Sequence, residues 1–419
     1  MSFSKRTIES VPIHGKTVLL RVDYNVPQNE DGSIADDFRI RASLPTIKRL
    51  IREKCKIIII SHLGRPDGEK NLKYSLEPAA QRLAELLGRS IRFVDCCIGD
   101  KACMAVKQGA PGSITVLENL RFHPGEEAND EDFARQLYLA AGADYFVQDG
   151  FGVVHRAHAS TEAITHFLPS VAGLLLEKEV DTITDTMEHP KHPVVAVLGG
   201  AKVSDKIHVF ETMIDIADHI VVGGAMANTF LAYKGVNVGR SKCETDQDEM
   251  LSKIYKKAVD KVGLEHIDDF ILLPTDVAVT TDINSEQPRQ EVDIWQIPAD
   301  DLAVDIGKNS TKAMIEVVEK AKTVIWNGTL GLAEKPEFAY ASIQLARALK
   351  ARKDSTTSVI GGGDTADFAL NWDKDGKSFS HVSTGGGASL DLMTGKKLPG
   401  VESLLDARRD IRYTKNKKT

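Results

Sequence analysis

Short apolar runs, each closed by a polar or glycine-rich turn and then followed by a helical stretch, recur along the whole chain. The clearest are Thr17–Val22, Ile57–Ile60, Ile91–Val94, Ile114–Leu117 and Tyr145–Val147. Further along come Val194–Leu198, Ile220–Val222, Phe270–Leu273, Thr323–Trp326 and Ser358–Ile360, with a weaker run at His381–Ser383. Near-continuous β-branched and apolar residues are what strands buried on both faces require, and alternation with helices points to parallel sheets. Intervening segments such as Leu76–Leu87 and Thr311–Ala321 carry apolar residues three and four apart, as helices laid on a sheet do.

The pattern breaks once, over residues 174–192, where Leu174-Leu175-Leu176-Glu177-Lys178-Glu179-Val180 reads as helix with a charged continuation ending at Pro190 and Pro193. The chain has 419 residues, and at about 150 residues per domain this suggests two or three domains. The economical reading is an α/β protein with two doubly wound parallel-sheet (Rossmann-like) domains joined by a helical hinge. The expected bounds are 1–173, 174–192 for the hinge, and 193–399.

Charge limits the partners. Residues 1–178 hold 23 Lys and Arg against 23 Asp and Glu, so the remainder carries the whole net charge of −7. A net-acidic chain whose one basic tract is Lys415–Lys418 is a poor nucleic-acid binder. No apolar run reaches a membrane span, and Met1-Ser2-Phe3-Ser4-Lys5-Arg6 has no apolar signal region, so a cytoplasmic location is expected. The five cysteines form no Cys-x-x-Cys pair and are expected to be reduced thiols rather than metal ligands.

In open parallel sheets, ligands bind beyond the C-terminal strand ends. In the first half those ends deliver Asp23 and Asn25, His62 and Arg65, Asn119 and Arg121, then Asp149 with His155-Arg156-Ala157-His158, while Arg39 lies in the loop after the first strand. Four arginines and several histidines at one sheet edge suit a small, multiply charged anion, because the planar guanidinium pairs with phosphate or carboxylate through two hydrogen bonds. The second half ends its strands in Gly199-Gly200-Ala201-Lys202, Gly223-Gly224-Ala225, Pro274-Thr275-Asp276, Asn327-Gly328-Thr329, Gly361-Gly362-Gly363-Asp364-Thr365 and Gly385-Gly386-Gly387-Ala388-Ser389. Glycine lets backbone N–H groups approach an anion, and the following helix adds its positive dipole end. Lys202 and Lys206 fall on one face if a helix starts there, and Asp364 reads either as a magnesium ligand or as a helix N-cap. There is no P-loop. Gly361-x-Gly363-x-x-Ala366 satisfies a relaxed dinucleotide fingerprint, which makes a dehydrogenase the rival from motif reading.

Taken together, Arg21-Val22-Asp23-Tyr24-Asn25-Val26-Pro27, Ser61-His62-Leu63-Gly64-Arg65-Pro66, Leu120-Arg121-Phe122, His155-Arg156-Ala157-His158 and Gly199-Gly200-Ala201-Lys202-Val203-Ser204-Asp205-Lys206 resemble the phosphoglycerate kinase family. So do Trp326-Asn327-Gly328, Gly361-Gly362-Gly363-Asp364-Thr365 and Gly385-Gly386-Gly387-Ala388-Ser389, in family order over essentially the whole chain. The resemblance implies a first domain for 3-phosphoglycerate or 1,3-bisphosphoglycerate, with Asp23, Asn25, Arg39, His62, Arg65, Arg121 and Arg156 as its site. It implies a second domain for ATP or ADP with a magnesium ion (Mg2+). There Gly200, Lys202, Lys206, Gly224, Asn327, Gly363, Asp364 and Thr365 would meet the nucleotide, Glu334 its ribose and Asp364 the metal. Arg39, Lys202 and the helix N-termini at Gly362 and Gly386 would neutralise the group in transfer, which would proceed in line after hinge closure. The resemblance also implies a monomer whose tail, about residues 400–419, packs back on the first domain. Thr329, Ala333, Lys308, Gln148 and Gly150 depart from the family pattern. A silent relative that only binds through the same clefts is the second alternative, against which the retention of the arginines together with Lys202 counts.

Overall fold

The computed structural model describes residues 3–284 and 289–407. It divides into two compact units, one running to Asp181 and taking back the chain from Lys397, the other Thr182–Lys396. The division falls inside a single helix, Leu174–Glu188, rather than at the ends of the 174–192 segment. No helix among the described residues is long and apolar enough to cross a membrane.

The first unit is built on six strands, β1 Thr17–Arg21, β2 Lys56–Ile60, β3 Arg92–Val94, β4 Ile114–Leu117, β5 Tyr145–Gln148 and β6 Ser170–Ala172, all parallel in the order β3-β4-β2-β1-β5-β6. Alternate residues feed opposite faces, as the two-residue strand repeat demands. Val18, Leu20, Ile57 and Ile59 pack into one core with the helices Phe38–Arg52 and Glu77–Leu87. Leu19, Ile58, Ile60 and Phe146 pack into a second core with Gly99–Lys107 and Glu131–Ala141. Two buried faces explain why these runs are apolar at every position. Strand order reverses at β1, so the C-terminal ends of β1, β2 and β5 flank a topological switch point.

The returning segment extends the edge of this unit. Leu405 N donates to Ser170 O (3.0 Å), Arg6 N to Leu405 O (2.7 Å), and Lys5 pairs with Asp406 (2.8 Å). Residues 408–419, most of the tail in question and including Lys415–Lys418, lie outside the described residues.

The second unit holds β7 Val194–Leu198, β8 His219–Val222, β9 Ile271–Leu272, β10 Asp276–Thr280, β11 Gln290–Asp293, β12 Leu302–Ile306, β13 Thr323–Asn327, β14 Thr357–Gly361 and β15 His381–Val382. Six of them form a second all-parallel sheet, β15-β14-β13-β7-β8-β9, and β11-β10-β12 form a separate antiparallel sheet. That smaller sheet corrects one strand-end reading. Pro274-Thr275-Asp276 leads directly into β10, and the Asp276 carboxylate accepts from Asn309 N (3.0 Å) and Ser310 N (2.8 Å). It caps the helix Lys308–Val318 and is not free for a ligand.

Asp149 caps the helix that crosses between the units. Its Oδ1 accepts from Leu175 N (2.9 Å) and Leu176 N (3.2 Å). Burial pushes this carboxyl up to about 7, with the Thr46 hydroxyl and the two amides pulling the other way. An unfolded aspartate titrates near 4, so between about pH 4 and 7 the folded form binds the extra proton. The stability this group contributes is therefore full below pH 4 and is lost as pH rises to 7. Asp149→Asn keeps an acceptor for both amides without the charge. It should flatten the stability–pH profile between pH 5 and 7.5, as followed by amide hydrogen exchange in β1 and β5. An unchanged slope would remove Asp149 as its origin.

Candidate active site

At the C-terminal edge of the first sheet the side chains are tied into one constellation. Asp23 accepts Arg39 Nη1 on Oδ2 (2.8 Å) and its own loop's Asn25 N on Oδ1 (3.0 Å). Arg39 also reaches Asn25 O (3.2 Å). Asn25 Oδ1 accepts Gly64 N (2.9 Å), and Arg121 Nη1 donates to Gly64 O (2.8 Å), so the loop bearing His62 and Arg65 is held from both sides. Arg39 is not in the loop as the sequence suggested. It sits in the first turn of Phe38–Arg52, started early by Asp36 accepting Phe38 N (2.9 Å). Arg65 is exposed and makes no hydrogen bond or ion pair with the described residues, which leaves its fork available. Arg156 is exposed, its Nε on His155 Nε2 (3.2 Å), and it bears on Arg121 only through its charge.

Beneath these lies a layer that strand-end reading misses. Arg21, fully buried on β1, donates Nε to Ser160 Oγ (2.8 Å) and Nη1 to Val22 O, and approaches Glu126 Oε1 at 3.9 Å. Glu126, also fully buried, accepts Ser160 Oγ (2.6 Å) and Ser160 N (3.0 Å). Arg21 Nη2 lies 3.2 Å from His62 Nδ1. A guanidinium has no acceptor, so His62 Nδ1 accepts, the ring is neutral, and its proton sits on Nε2. Burial, reinforced by Arg21, Arg121 and Arg39, holds His62 far below the usual histidine range, and burial with Arg21, Arg121 and Arg156 puts His158 at about 3. Both rings are neutral at physiological pH. Asn119 and Asp149 from the same edge are structural: Asn119 Nδ2 donates to Leu63 O (2.7 Å) and Tyr74 O (2.8 Å).

The second sheet carries a floor of backbone. Gly328 has φ +103, and a Cβ there would stand 2.1 Å from Gly199 O; Gly224 has φ +62, with a Cβ 2.8 Å from Gly200 N and Thr329 O. Only glycine lets these turns touch. The helices Gly224–Tyr233, Gly363–Trp372 and Gly387–Met393 start at Gly223, Gly362 and Gly386 with no side-chain cap. Gly224 N donates to Leu330 O (2.8 Å), Met226 N to Gly200 O (3.0 Å) and Ala388 N to Gly385 O (2.9 Å), which leaves the first amides of Gly363–Trp372 and Gly387 N open to an anion. Thr365 Oγ1 accepts Gly328 N (2.6 Å), which joins the turn after β13 to the turn after β14. Asn327 is fully buried, yet neither its Nδ2 nor its Oδ1 has a partner among the described residues.

The structure separates the two lysines. The helix starts only at Ile207, after a 3-10 turn over Ser204–Lys206, and Lys202 lies in the preceding loop, so they do not share a helix face. In the stretch between them Glu244 takes the amides of Val203 (2.5 Å) and Ser204 (3.1 Å). Lys206 is half-buried, and its Nζ donates to Gly199 O (2.8 Å) and Asn327 O (3.2 Å); desolvation lowers it to about 8. Lys202 is exposed and forms no hydrogen bond or ion pair with the described residues.

Asp364 is exposed in the first turn of Gly363–Trp372 and hydrogen-bonds nothing among the described residues; Gly362 is the N-cap, so the capping alternative fails. No group of three or more His, Cys, Asp or Glu that could hold a metal occurs among the described residues. One carboxylate without a hydrogen bond, beside the glycine turns, fits Mg2+, which takes one or two carboxylates plus nucleotide phosphates. Glu334 is exposed between β13 and the helix Tyr340–Ala351, and no hydrogen bond links it to the other predicted residues.

Comparison with known proteins agrees at every level. The phosphoglycerate kinase family model matches residues 8–396. A phosphoglycerate kinase of Pelotomaculum thermopropionicum is 46% identical over 403 residues, covering 96% of this chain and 100% of the relative. That of Thermosynechococcus vestitus is 45% identical over 402 residues, covering 96% and 98%. The solved phosphoglycerate kinase of Coxiella burnetii superimposes with a TM-score of 0.81 at 33% identity, covering 95% of this chain and 98% of that one. The Pyrococcus horikoshii enzyme gives 0.80 at 31% identity with the same coverage. Matches of this extent, in sequence and in fold alike, make the chain a member of the phosphoglycerate kinase family.

Proposed function

We propose that the chain catalyses reversible phosphoryl transfer between 1,3-bisphosphoglycerate with ADP and 3-phosphoglycerate with ATP, the glycerate on the first unit and the nucleotide on the second. The observation that carries the nucleotide assignment is Lys206, a half-buried ammonium bonded only to carbonyl oxygens and in no ion pair among the described residues. The Asp364 and Asp205 charges favour this cation from beyond ion-pair distance, and an arriving anion would offset the rest of its desolvation. The family match sets aside the dehydrogenase reading of Gly361–Ala366.

The acceptor in this reaction is a carboxylate. With a pKa near 4 it is ionised at neutral pH and needs no general base. The neutral His62 suits this role, because its Nε2–H can donate to a carboxylate oxygen and exchange no proton. Catalysis is then positioning and charge neutralisation. Arg39, already oriented by Asp23, faces the group in transfer, and Arg65 takes the non-reacting phosphate. Lys202 and the open helix starts at Gly362 and Gly386 meet the charge that develops on the phosphoryl oxygens. Asp364 would hold the Mg2+ that accompanies the nucleotide, which supplies further neutralisation of the phosphates. In-line transfer needs reacting atoms within about 3–3.5 Å, so substrates carried by separate units react only after those units approach about the helix Leu174–Glu188.

Turnover with ATP and 3-phosphoglycerate, coupled to ADP detection, tests the proposal; no turnover would leave only a binding protein. Within that assay Arg39→Ala should lower kcat strongly, because its contacts strengthen in the transition state, whereas Arg65→Ala should mainly raise KM for the glycerate. Equal effects of both variants on both parameters would defeat the division of labour.

A further inference from the structure

Glu244 lies far from any predicted site position in sequence, in the loop between the helices Gly224–Tyr233 and Asp248–Val262. Its carboxylate is nonetheless engaged by the loop that carries both lysines. Oε2 accepts Val203 N (2.5 Å) and Ser204 N (3.1 Å), and Oε1 accepts Ser204 Oγ. Its own N donates to Thr229 Oγ1 (3.0 Å) on the neighbouring helix, which fixes the carboxylate's approach.

We propose that Glu244 is a positioning residue for the nucleotide phosphates, clasping the turn between Lys202 and Lys206 and keeping the Val203 and Ser204 amides away from the ligand. Consecutive backbone N–H groups bind phosphate and carboxylate alike. Amides at residues 203 and 204, left open, would form a second anion nest beside the glycine floor. A carboxylate supplied by the fold fills that nest permanently, because its ordering is complete before the ligand arrives. Phosphate is thereby directed to the floor at Gly200 and to Lys202 and Lys206. The clasp also sets the backbone on which the two lysines diverge, Lys206 inward onto Gly199 O and Lys202 outward. Lys202 lies within electrostatic reach of Glu244, but the carboxylate is taken up by Val203 and Ser204, which leaves the lysine unpaired for substrate.

The inference rests on the nucleotide occupying the second unit, and the experiment separates the two. Kd for ADP by calorimetry and steady-state constants for both substrates are measured for the parent chain, Glu244→Ala, Glu244→Gln and Ser204→Ala. Loss of charge-assisted bonds should raise Kd for ADP and KM for ATP in Glu244→Ala by about tenfold to a hundredfold. KM for 3-phosphoglycerate should stay within about twofold, because the first unit is untouched. Inorganic sulfate should inhibit this variant more strongly than the parent, competitively with ATP, because the emptied amides accept it. Glu244→Gln, which keeps one acceptor oxygen, should fall between, and Ser204→Ala, which keeps both amide bonds, should show the smallest change. Should Glu244→Ala fail to fold, the ordering parent, Ser204→Ala, Glu244→Gln still decides the matter. Folded variants with parental ADP affinity and parental sulfate sensitivity would overturn the proposal. A parent that binds no ADP would refute the nucleotide assignment and the inference with it; a parent that binds ADP beside unchanged variants refutes the inference alone.

Discussion

Replacing Lys202 by alanine is expected to lower kcat about a hundred- to a thousandfold, the usual effect of losing one charged donor aimed at a transition state, about 2.7–4 kcal/mol. The side chain is exposed and makes no hydrogen bond or ion pair with the described residues, so the folded state loses nothing that it holds. Thermal stability should stay within about 0.5 kcal/mol of the parent. That pairing of a large kinetic effect with a silent stability effect separates a catalytic lysine from a solvated one. Lys206→Ala should behave oppositely. Its ammonium already satisfies Gly199 O and Asn327 O, and its removal leaves the buried Gly199 O short of a donor, Asn327 O keeping Gly199 N (2.9 Å), and the glycine turns short of a fixed charge. A rise in nucleotide KM together with lower stability is expected, with a smaller effect on kcat. Near-parental kcat in Lys202→Ala would return that residue to the surface lysines.

The difference between the two lysines also marks where sequence reading reached its limit. Spacing of four residues would place them on one helix face only if the helix began at Lys202, and a helix start is decided by whatever takes its first amides. Here Glu244 takes them from 40 or more residues away in the chain, a contact no local pattern announces. The parallel sheets were legible because strands buried on both faces are apolar throughout, as Ile57–Ile60 is. β6 is Ser-Val-Ala, with a single β-branched residue, and β11, Gln290–Asp293, is polar at an exposed edge, so neither carried that signal. The close approach of the glycine-rich strand ends was legible because φ values such as +103 at Gly328 exclude other residues. Asp276 belonged to the same list by position alone, and it turned out to be a helix cap because an antiparallel strand begins there.

Arg21→Met is expected to destabilise the first unit by about 3–5 kcal/mol, the usual cost of leaving one member of a buried pair alone. Arg21 was visible within a motif but read as part of a strand, since strand-end logic looks only past the last apolar residue. Its guanidinium donates to Ser160, Val22 O and His62 and faces Glu126, all buried. Burial already raises the Glu126 carboxyl, opposed chiefly by the Arg21 charge; without Arg21 that group must take up a proton or remain an unpaired charge. Glu126→Gln alone should be costly for the complementary reason. Arg21→Met with Glu126→Gln should cost less than the two singles added, because the charge stranded by each is gone; a coupling of about 1–3 kcal/mol is typical of such contacts. Hydrogen exchange in β1 and β2 peptides reports the loss, with β7 and β13 as internal controls, since a two-unit chain need not unfold in one step. The same substitution frees His62 Nδ1. The ring should then exchange tautomers, and a limb should appear in the pH profile of kcat/KM for the glycerate where none is expected in the parent. Strict additivity of the two substitutions, or a pH profile that Arg21→Met leaves flat, would show that Arg21 only fills space beneath the site.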